Sequence, residues 1–229
     1  MKIIGKGSFA KVYIGKFNNA DVAVKHHISN NKLHVERFNA ECIKLKSLNH
    51  PNILKHIHHD DTFLYTDLFD SDLSNMIFDT HIDEDIHHIM LNVAKGLNYI
   101  HNLPEIIIHR DIKPENILVR KPRQAVLCDF GFAIKLEKDN IEKVYTDKIK
   151  TGSLVFMAYE IIVPPISIYS SASDMWAYGI TYWHFISKCE PYPEITSPED
   201  YRYKIRNGYK LDFKEERDAG GNTDLFDLI

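Results

Sequence analysis

The segment 109–116 (His-Arg-Asp-Ile-Lys-Pro-Glu-Asn) concentrates the side-chain types that phosphoryl transfer requires. Asp111, Lys113 and Asn116 lie at spacings of two and three residues, between two apolar runs. Held in one loop, they supply a proton acceptor, a cation for a phosphate and a neutral metal ligand. A second carboxylate, Asp129, opens the triplet Asp-Phe-Gly directly after a further apolar run. These residues therefore predict a catalytic loop for metal-assisted phosphoryl transfer.

A glycine-rich run near the N-terminus offers a place for the phosphates themselves. Gly5, Lys6 and Gly7 precede Val12 and lie between two β-prone runs. Glycine lets backbone N–H groups approach a phosphate closely, which favours anion binding in such a turn. Two glycines in a hairpin also form ordinary turns, so this run alone leaves both interpretations open.

Lys25 and Glu41 form a predicted ion pair. Lys25 ends a Val-Ala-Val-Lys run, in which alternation places Ala23 and Lys25 on one face of a strand. Glu41 lies three residues after Phe38 and four before Leu45, at the margin of the apolar stripe of a predicted helix. Because an unpaired carboxylate is costly to bury there, we expect Glu41 to pair with Lys25.

The hydrophobic pattern predicts that these residues are held by a β-rich segment followed by a helical one. Apolar spacings of three and four predict helices at 32–48 and 83–102, and the chain from 173 onward is predicted to be mostly helical. Short apolar and β-branched runs between turn residues predict the strands. These lie at 3–4, 12–14, 22–24, 53–57, 63–66, 106–108, 117–119 and 125–128. The boundary between the two segments falls near 67–69.

Composition and charge exclude several other classes of protein. The chain has 229 residues and a net charge of −4, which is typical of a globular domain with no global attraction to nucleic acid. Its longest apolar stretch, 175–186, is shorter than the roughly 20 residues that a membrane-spanning helix needs. The three cysteines are far apart, which predicts no disulfide framework and favours a reducing, cytoplasmic compartment. The 13 histidines lack metal-ligand spacing, so a metal cluster is not expected among them.

In type, order and spacing these motifs resemble those of eukaryotic-type protein kinase domains, over almost the whole chain. The resemblance implies a two-lobed α+β fold in a single catalytic domain. Its parts would be a small β-rich N-lobe (about 1–66), a hinge (about 67–69) and a larger helical C-lobe (about 70–229). Residues 224–229 resemble the start of a late helix, and the family's final helices are missing after it. We expect a partner protein or a second copy to cover the surface that those helices would cover.

The resemblance also implies a role for each candidate residue. Asp111 would orient the substrate hydroxyl, Lys113 would neutralise the transferred phosphate, and Asn116 and Asp129 would hold Mg²⁺. The implied ATP-binding positions are Gly5, Lys6, Gly7, Val12, Ala23, Lys25, Glu41, Thr66, Asp67, Phe69 and Leu118. Thr66 would be the gatekeeper of the adenine pocket, and the backbone of the hinge would bind the adenine.

Three positions depart from the family pattern. Ala10 stands where the third glycine of the loop usually lies, and Tyr159 replaces proline in a Met-Ala-Tyr-Glu run. His56 replaces an apolar strand residue, so we expect softer packing against the helix that carries Glu41. The alanine should stiffen the tip of the loop without removing a phosphate ligand, and the tyrosine predicts a looser end of the activation segment.

The leading hypothesis is ATP- and Mg²⁺-dependent phosphoryl transfer to Ser/Thr hydroxyls of protein substrates. The Lys-Pro-Glu-Asn run and Ser153 after Gly152 resemble the Ser/Thr class, although a small gatekeeper such as Thr66 is frequent among tyrosine kinases. The alternative is a pseudokinase or scaffold that binds partners without efficient turnover. Pseudokinases usually lack the lysine or one of the two catalytic aspartates, which are present here. A small-molecule kinase of the aminoglycoside type is disfavoured by the same Lys-Pro-Glu-Asn run.

Arg110, directly before Asp111, further predicts control by phosphorylation of the segment 129–160. An arginine beside the catalytic carboxylate can pair with a phosphate and order that segment. Thr146 and Thr151 are the predicted acceptors, ahead of Tyr145.

Overall fold

The computed structural model describes residues 2–7, 9–77, 85–136, 144–147, 151–163, 165–195, 197–209 and 211. Its N-terminal part is a five-stranded antiparallel sheet with one helix, as the sequence predicts. These elements are β1 (Ile3–Lys6), β2 (Ala10–Phe17), β3 (Ala20–His27), α1 (Lys32–Ser47), β4 (His56–His59) and β5 (Phe63–Asp67). The strand order β1-β2-β3-β5-β4 places β3, with Lys25, at the centre of the sheet.

Helix α1 carries Glu41 into the interior because its sequence combines an N-cap with an apolar stripe. The Asn31 side chain accepts a hydrogen bond from a backbone N–H in the first turn (2.9 Å), which satisfies a donor that the helix leaves free. Phe38, Cys42 and Leu45 are buried at the predicted spacing. Glu41 lies next to this stripe and is only 4% exposed.

The C-terminal part is built from helices and short strand pairs. Its helices are α2 (Ile86–His101), α3 (Tyr159–Ile162), α4 (Ser171–Ser187) and α5 (Pro198–Arg206). Its strands are β6 (Ser71–Asp72), β7 (Ile107–Ile108), β8 (Ile117–Arg120), β9 (Gln124–Leu127), β10 (Ile134–Lys135), β11 (Tyr145–Asp147) and β12 (Ser167–Tyr169). Short 3₁₀ helices lie at Leu73–Met76, Pro114–Asn116 and Leu154–Phe156. Strands β6, β8 and β9 form one sheet, β7 pairs with β10, and β11 pairs with β12.

One hydrophobic core runs through both parts of the molecule. It contains Leu45 of α1, Leu97 of α2, Leu127 of β9 and Ile112 of the loop after β7. Because protein interiors are closely packed, this shared core fixes that loop relative to α1. Helix α4 is buried on several sides, as expected for a core helix. No helix in the described part of the chain combines the length and apolar character needed to cross a membrane.

The start of β4 differs from the sequence prediction for a physical reason. The strand predicted at 53–57 begins at His56, because the residues before it form hydrogen bonds with the end of β9 instead. Leu54 N donates to Leu127 O (2.9 Å), and Leu127 N donates to Asn52 O (3.0 Å). Strand β9, Gln124–Leu127, begins and ends one residue before the predicted 125–128.

The helix predicted at 83–102 begins at Ile86, with Asp85 as its N-cap, and ends at His101. Positions 83 and 84, where the acidic first turn was expected, lie outside the described residues. The late helix expected at 224–229 also lies outside them.

His56 has a polar partner on its own strand. Its Nε2 lies 2.7 Å from His59 Nδ1. Both histidines pair with buried residues of β5, Thr66 and Leu64, and so share the inner face of the sheet with them. Each ring is therefore the hydrogen-bond partner of the other. The expected softening of the packing against α1 stays a prediction.

Candidate active site

Lys25, Glu41 and Asp129 are distant in sequence and meet in the structure. Lys25 Nζ lies 2.8 Å from Glu41 Oε1 and 2.7 Å from Glu41 Oε2. Asp129, two residues after the end of β9, places its Oδ1 3.6 Å from the same ammonium group. The ion pair predicted between β3 and α1 is therefore present, and Asp129 is its third member.

The Lys25 ammonium stabilises both carboxylates, although burial, together with the nearby Asp129 charge, still raises the pKa of Glu41 overall. Burial alone would lower the pKa of Lys25, but the carboxylates of Asp129 and Glu41 outweigh it and raise that pKa overall. The Lys25 ammonium in turn lowers the pKa of Asp129, so this carboxylate stays ionised. Asp129 also has a left-handed φ of 59°. Such backbone conformations cost energy in non-glycine residues and concentrate at functional sites.

Asp111 is the centre of a second cluster. Its Oδ1 accepts a hydrogen bond from Ser153 Oγ (3.0 Å), and its Oδ2 lies 3.0 Å from Lys113 Nζ. Lys113 Nζ also donates to Ser153 Oγ (2.8 Å). Asn116 Nδ2 donates to the backbone oxygen and to Oδ2 of Asp111, at 2.7 and 2.9 Å. Partners on both oxygens fix the orientation of this buried carboxylate.

A carboxylate on α4 holds the backbone of this loop. Asp174 is 1% exposed and accepts hydrogen bonds from the backbone N–H groups of His109 (2.8 Å) and Arg110 (2.9 Å). His101 Nε2, at the end of α2, lies 2.8 Å from the same carboxylate. His109 Nε2 lies 2.9 Å from Cys128 O, just after β9. Asp174 therefore anchors the backbone beside Asp111 directly, while His101 supports Asp174 and Cys128 holds the His109 ring.

Gly152 lets the chain before Ser153 approach the loop closely. Its φ is 117°, which favours glycine, and a Cβ atom there would lie 2.5 Å from Arg110 O. Any side chain at this position would push Ser153 away from Asp111.

The residues predicted for the nucleotide lie on facing strands of the sheet. Gly5 pairs with Val12, and Val12 with Lys25, so these residues form one row across β1, β2 and β3. Ala23 pairs in the same way with Thr66 of β5, which is buried. Cross-strand partners share a face of the sheet, so each row presents its side chains together.

The tip of the glycine-rich run closes on itself. Gly7 N donates to Ala10 O (2.9 Å), so this amide completes the hairpin instead of pointing away from it. Lys6 is exposed and pairs with Lys11 across β1 and β2. Within this run, Gly5 is therefore aligned with Lys25, whereas Gly7 belongs to the turn.

The predicted hinge (about 67–69) contacts the C-terminal part through Arg120 of β8. Its Nη2 donates to Leu68 O (2.6 Å), and its guanidinium lies 4.4 Å from the centre of the Phe69 ring. Thr66 Oγ1 lies 3.5 Å from Asp67 O, at the end of β5.

Leu118, the remaining predicted nucleotide contact, lies half-buried on β8 and pairs with Asp72 of β6. The short sheet that Arg120 connects to the hinge therefore also carries the Leu118 side chain.

Asn116 and Asp129 offer oxygen ligands that fit Mg²⁺. The Asn116 amide nitrogen is engaged by Asp111, which leaves the amide oxygen as an acceptor. A hydrogen bond from Cys128 N to Asn116 O (3.0 Å) holds the two ligand-bearing segments together. Proteins usually hold Mg²⁺ through one or two such oxygens together with substrate phosphates. Groups of three or more His, Cys, Asp or Glu side chains able to hold a metal are not found within the described ranges.

The sequence predicts Asp174 only as part of the start of a buried central helix, and it does not predict Asp147. Asp174 is the acidic residue in the first turn of an otherwise apolar helix, and a buried acid at that position is a readable signal. Asp147, which lies 3.5 Å from Arg110, belongs to a strand of three residues and carries no periodic signal.

Comparison with known families identifies the family to which this fold belongs. The family model described as "Protein kinase domain" matches residues 1–226. The chain therefore belongs to the protein kinase domain family.

Curated relatives are named as protein kinases. The probable serine/threonine-protein kinase fhkB of Dictyostelium discoideum is 31% identical over 245 residues, covering 100% of this chain and 21% of the relative. The human serine/threonine-protein kinase TNNI3K is 31% identical over 209 residues, with 85% of this chain and 24% of the relative covered. The dual specificity protein kinase shkC of Dictyostelium discoideum is 26% identical, covering 89% of this chain and 42% of the relative. The chain thus spans less than half the length of each of these relatives.

Proposed function

We propose that the chain transfers the terminal phosphoryl group of ATP to serine and threonine hydroxyls of protein substrates. The observation that carries this proposal is the triangle of Asp111, Lys113 and Ser153, with contacts of 2.8 to 3.0 Å between them. It holds a carboxylate and an ammonium group where an acceptor hydroxyl and a phosphate need them.

Each side chain has one task in this reaction. Asp111 orients the acceptor hydroxyl and takes its proton as the new oxygen–phosphorus bond forms and the bond to ADP breaks. Lys113 balances the negative charge of the transferred group. Lys25, held by Glu41, positions the other phosphates of ATP. Asn116 and Asp129 would hold Mg²⁺, which when bound neutralises phosphate charge.

The acceptor class is proposed from the Lys113–Ser153 contact and from the names of the relatives. Lys113 followed by Pro-Glu-Asn is typical of Ser/Thr kinases, and Ser153 conserves a hydroxyl beside the catalytic carboxylate. Tyrosine phosphorylation should be measured as well, because shkC is named a dual specificity kinase and because the predicted gatekeeper Thr66 is small.

The complete set of charged groups weighs against a pseudokinase. Lys25 contacts both Glu41 and Asp129, and Asn116 contacts Asp111.

We place the enzyme in a reducing, cytoplasmic compartment, since its three cysteines are free thiols and two of them are buried.

Transfer of labelled phosphate from Mg·ATP to a generic basic protein tests this proposal. Phosphoamino-acid analysis of the product should show phosphoserine and phosphothreonine, and Asp111→Asn serves as the inactive control. Nucleotide binding by a wild-type chain that transfers no phosphate would support the pseudokinase alternative instead. Phosphotyrosine beside the other two products would establish dual specificity.

A further inference from the structure

Arg110 directs its side chain at the activation segment, as residues 129–160 are called in this family. Its φ of 69° is left-handed, a costly conformation for a non-glycine residue. Its Nε donates to Phe132 O (2.7 Å), and its Nη1 lies 3.5 Å from Asp147 Oδ2. Only 10% of the Arg110 side chain and 24% of the Asp147 side chain are exposed. This pair joins the catalytic loop to β11 in a partly dehydrated setting.

The surroundings of Arg110 favour an anion. Burial, followed by the positive charge of Arg110, lowers the pKa of Lys44 on α1, and Lys135 adds to the effect. Several cations close together repel one another unless a negative charge lies among them. Asp147 is the carboxylate that the structure places against Arg110.

Two tyrosines complete the environment of the guanidinium. Tyr145 and Tyr169 are opposite each other in the β11–β12 pair, and Arg110 Cζ lies 5.3 Å and 5.0 Å from the centres of their rings. Both distances fall within the range of cation–π attraction. Because Tyr145 and Asp147 are two residues apart on one strand, their side chains share the face toward Arg110.

This environment is connected to the acceptor site through backbone contacts. Thr151 N donates to Tyr169 Oη (2.7 Å), and Tyr169 Oη donates to Thr151 O (3.1 Å). Two residues later, Ser153 Oγ donates to Asp111. Asp147, Tyr169 and Ser153 therefore lie on one connected path that begins and ends at the catalytic loop.

Neither predicted threonine is placed to bring a phosphate to Arg110. Thr146 pairs with Ile168, and alternation directs its exposed side chain to the face away from Tyr145 and Asp147. Thr151 is 8% exposed and is fixed by Tyr169 through its backbone. The position that a phosphate would take is occupied by Asp147.

From this geometry we infer that Asp147 is a positioning residue that orders the acceptor site without phosphorylation. Its carboxylate supplies to Arg110 the negative charge that a phosphate on the activation segment would otherwise supply. The inference rests on the proposed kinase function, and it names how that same site is regulated.

The test compares four forms of the chain, each expressed with a protein phosphatase until its intact mass shows no phosphate. Unphosphorylated wild type should transfer phosphate at a rate within about twofold of an untreated preparation. Asp147→Asn should lower kcat/KM for the protein substrate by about 10- to 100-fold, with KM for ATP nearly unchanged. Asp147→Glu should restore most of the loss, because it keeps the charge. Thr146→Ala, the matched control on the opposite face, should behave as wild type.

A second measurement separates this inference from the kinase assignment. Amide hydrogen exchange in β11 and β12 should quicken in Asp147→Asn and stay slow in Thr146→Ala, whether or not the chain transfers phosphate. Loss of transfer in every preparation, with this exchange difference present, would overturn the proposed function and leave the positioning role standing. An unphosphorylated wild type that becomes active only after Thr146 or Tyr145 is phosphorylated would overturn the inference. Equal exchange and equal turnover in Asp147→Asn and wild type would overturn it too.

Discussion

Two cation–carboxylate pairs flank the candidate site, both largely buried, and they differ in the closeness of their contacts and in the elements that hold them. Lys25 and Glu41 lie on the central strand and on the long helix α1, with both carboxylate oxygens within 2.8 Å of the ammonium group. Arg110 and Asp147 lie on a loop and on a three-residue strand, with one contact of 3.5 Å. The first pair belongs to the packed core, whereas the second depends on how the activation segment is ordered.

This difference has an energetic consequence. Removing one member of a closely bonded buried pair leaves an uncompensated charge and typically costs about 3–5 kcal/mol. The single 3.5 Å contact between Arg110 and Asp147 is too long for a strong hydrogen bond, so its loss should cost less. We therefore expect changes at Lys25 or Glu41 to affect folding and reaction together. Changes at Asp147 should act mainly on the reaction.

Asp111→Asn removes the catalytic carboxylate itself. Its effect on kcat should therefore be the largest, and no change in either pair should lower kcat further. We expect kcat to fall by about 10²- to 10⁴-fold, because the amide cannot accept the proton of the acceptor hydroxyl. The affinity for ATP should stay close to that of wild type, since Asp111 contacts Lys113, Asn116 and Ser153 of the acceptor cluster. Steady-state kinetics and nucleotide titration on the same samples measure both quantities. Unchanged kcat would remove Asp111 from the catalytic role.

Lys25→Met tests whether the first pair belongs to the core. It leaves the buried Glu41 carboxylate unpaired, so we expect a loss of about 3 kcal/mol in the free energy of unfolding together with loss of activity. Lys16→Met is the matched control, because it breaks an exposed pair with Asp21 in the same sheet and should cost less than about 1 kcal/mol. Denaturant unfolding measures both. Similar losses in Lys25→Met and Lys16→Met would show that the buried pair stabilises the fold no more than the exposed pair does.

Ser153→Ala cuts the connection between the second pair and Asp111. The variant removes one hydrogen bond to a carboxylate and one from an ammonium group, so kcat should fall about tenfold. Ser153→Thr keeps the hydroxyl and should keep most of the activity. If the alanine variant turned over as fast as wild type, the hydroxyl would have no part in orienting Asp111.

His56→Gln tests the packing beneath the first pair and should have the smallest effect. Burial, followed by the charge of His59, lowers the pKa of His56, so the folded state binds fewer protons than the unfolded state below about pH 6.5. Stability should therefore fall as the pH drops from about 6.5 through the lower pKa of the folded state, and it should be constant above that window. The glutamine variant keeps a polar partner for His59 and should lose part of this slope.

Thermal unfolding between pH 5 and pH 7.5 checks that expectation. His50 and His184 also have pKa values that burial lowers, so the variant should flatten the pH dependence without abolishing it. The exposed His88→Gln is the control. A slope that is identical in His56→Gln and wild type would show that His56 does not respond to pH.

The first pair could be predicted from the sequence because its elements carry strong local signals. The period of Phe38, Cys42 and Leu45 defines α1, and strand alternation defines the face of Lys25. The loop 109–116 could be predicted from residue types and spacing alone.

The second pair could not be predicted, because tertiary contacts create it. Tyr145–Asp147 is too short for a periodic pattern and becomes a strand by pairing with Ser167–Tyr169, about twenty residues away. The start of β4 at His56 has a similar cause, since hydrogen bonds to β9 replace strand pairing at Leu54. Asp174 lies in a recognisable helix start, but its partners lie more than sixty residues before it, so only the fold reveals what it holds.

The division of labour between the two pairs is tested most directly by measuring kcat and both KM values in Glu41→Gln and Asp147→Asn. We expect Glu41→Gln to raise KM for ATP, because Lys25 loses the partner that positions it, with little change in KM for the protein substrate. Asp147→Asn should leave KM for ATP unchanged and lower kcat/KM for the protein substrate. Two variants with the same pattern of changes in kcat and KM would contradict the separation of a nucleotide-positioning pair from an acceptor-positioning pair.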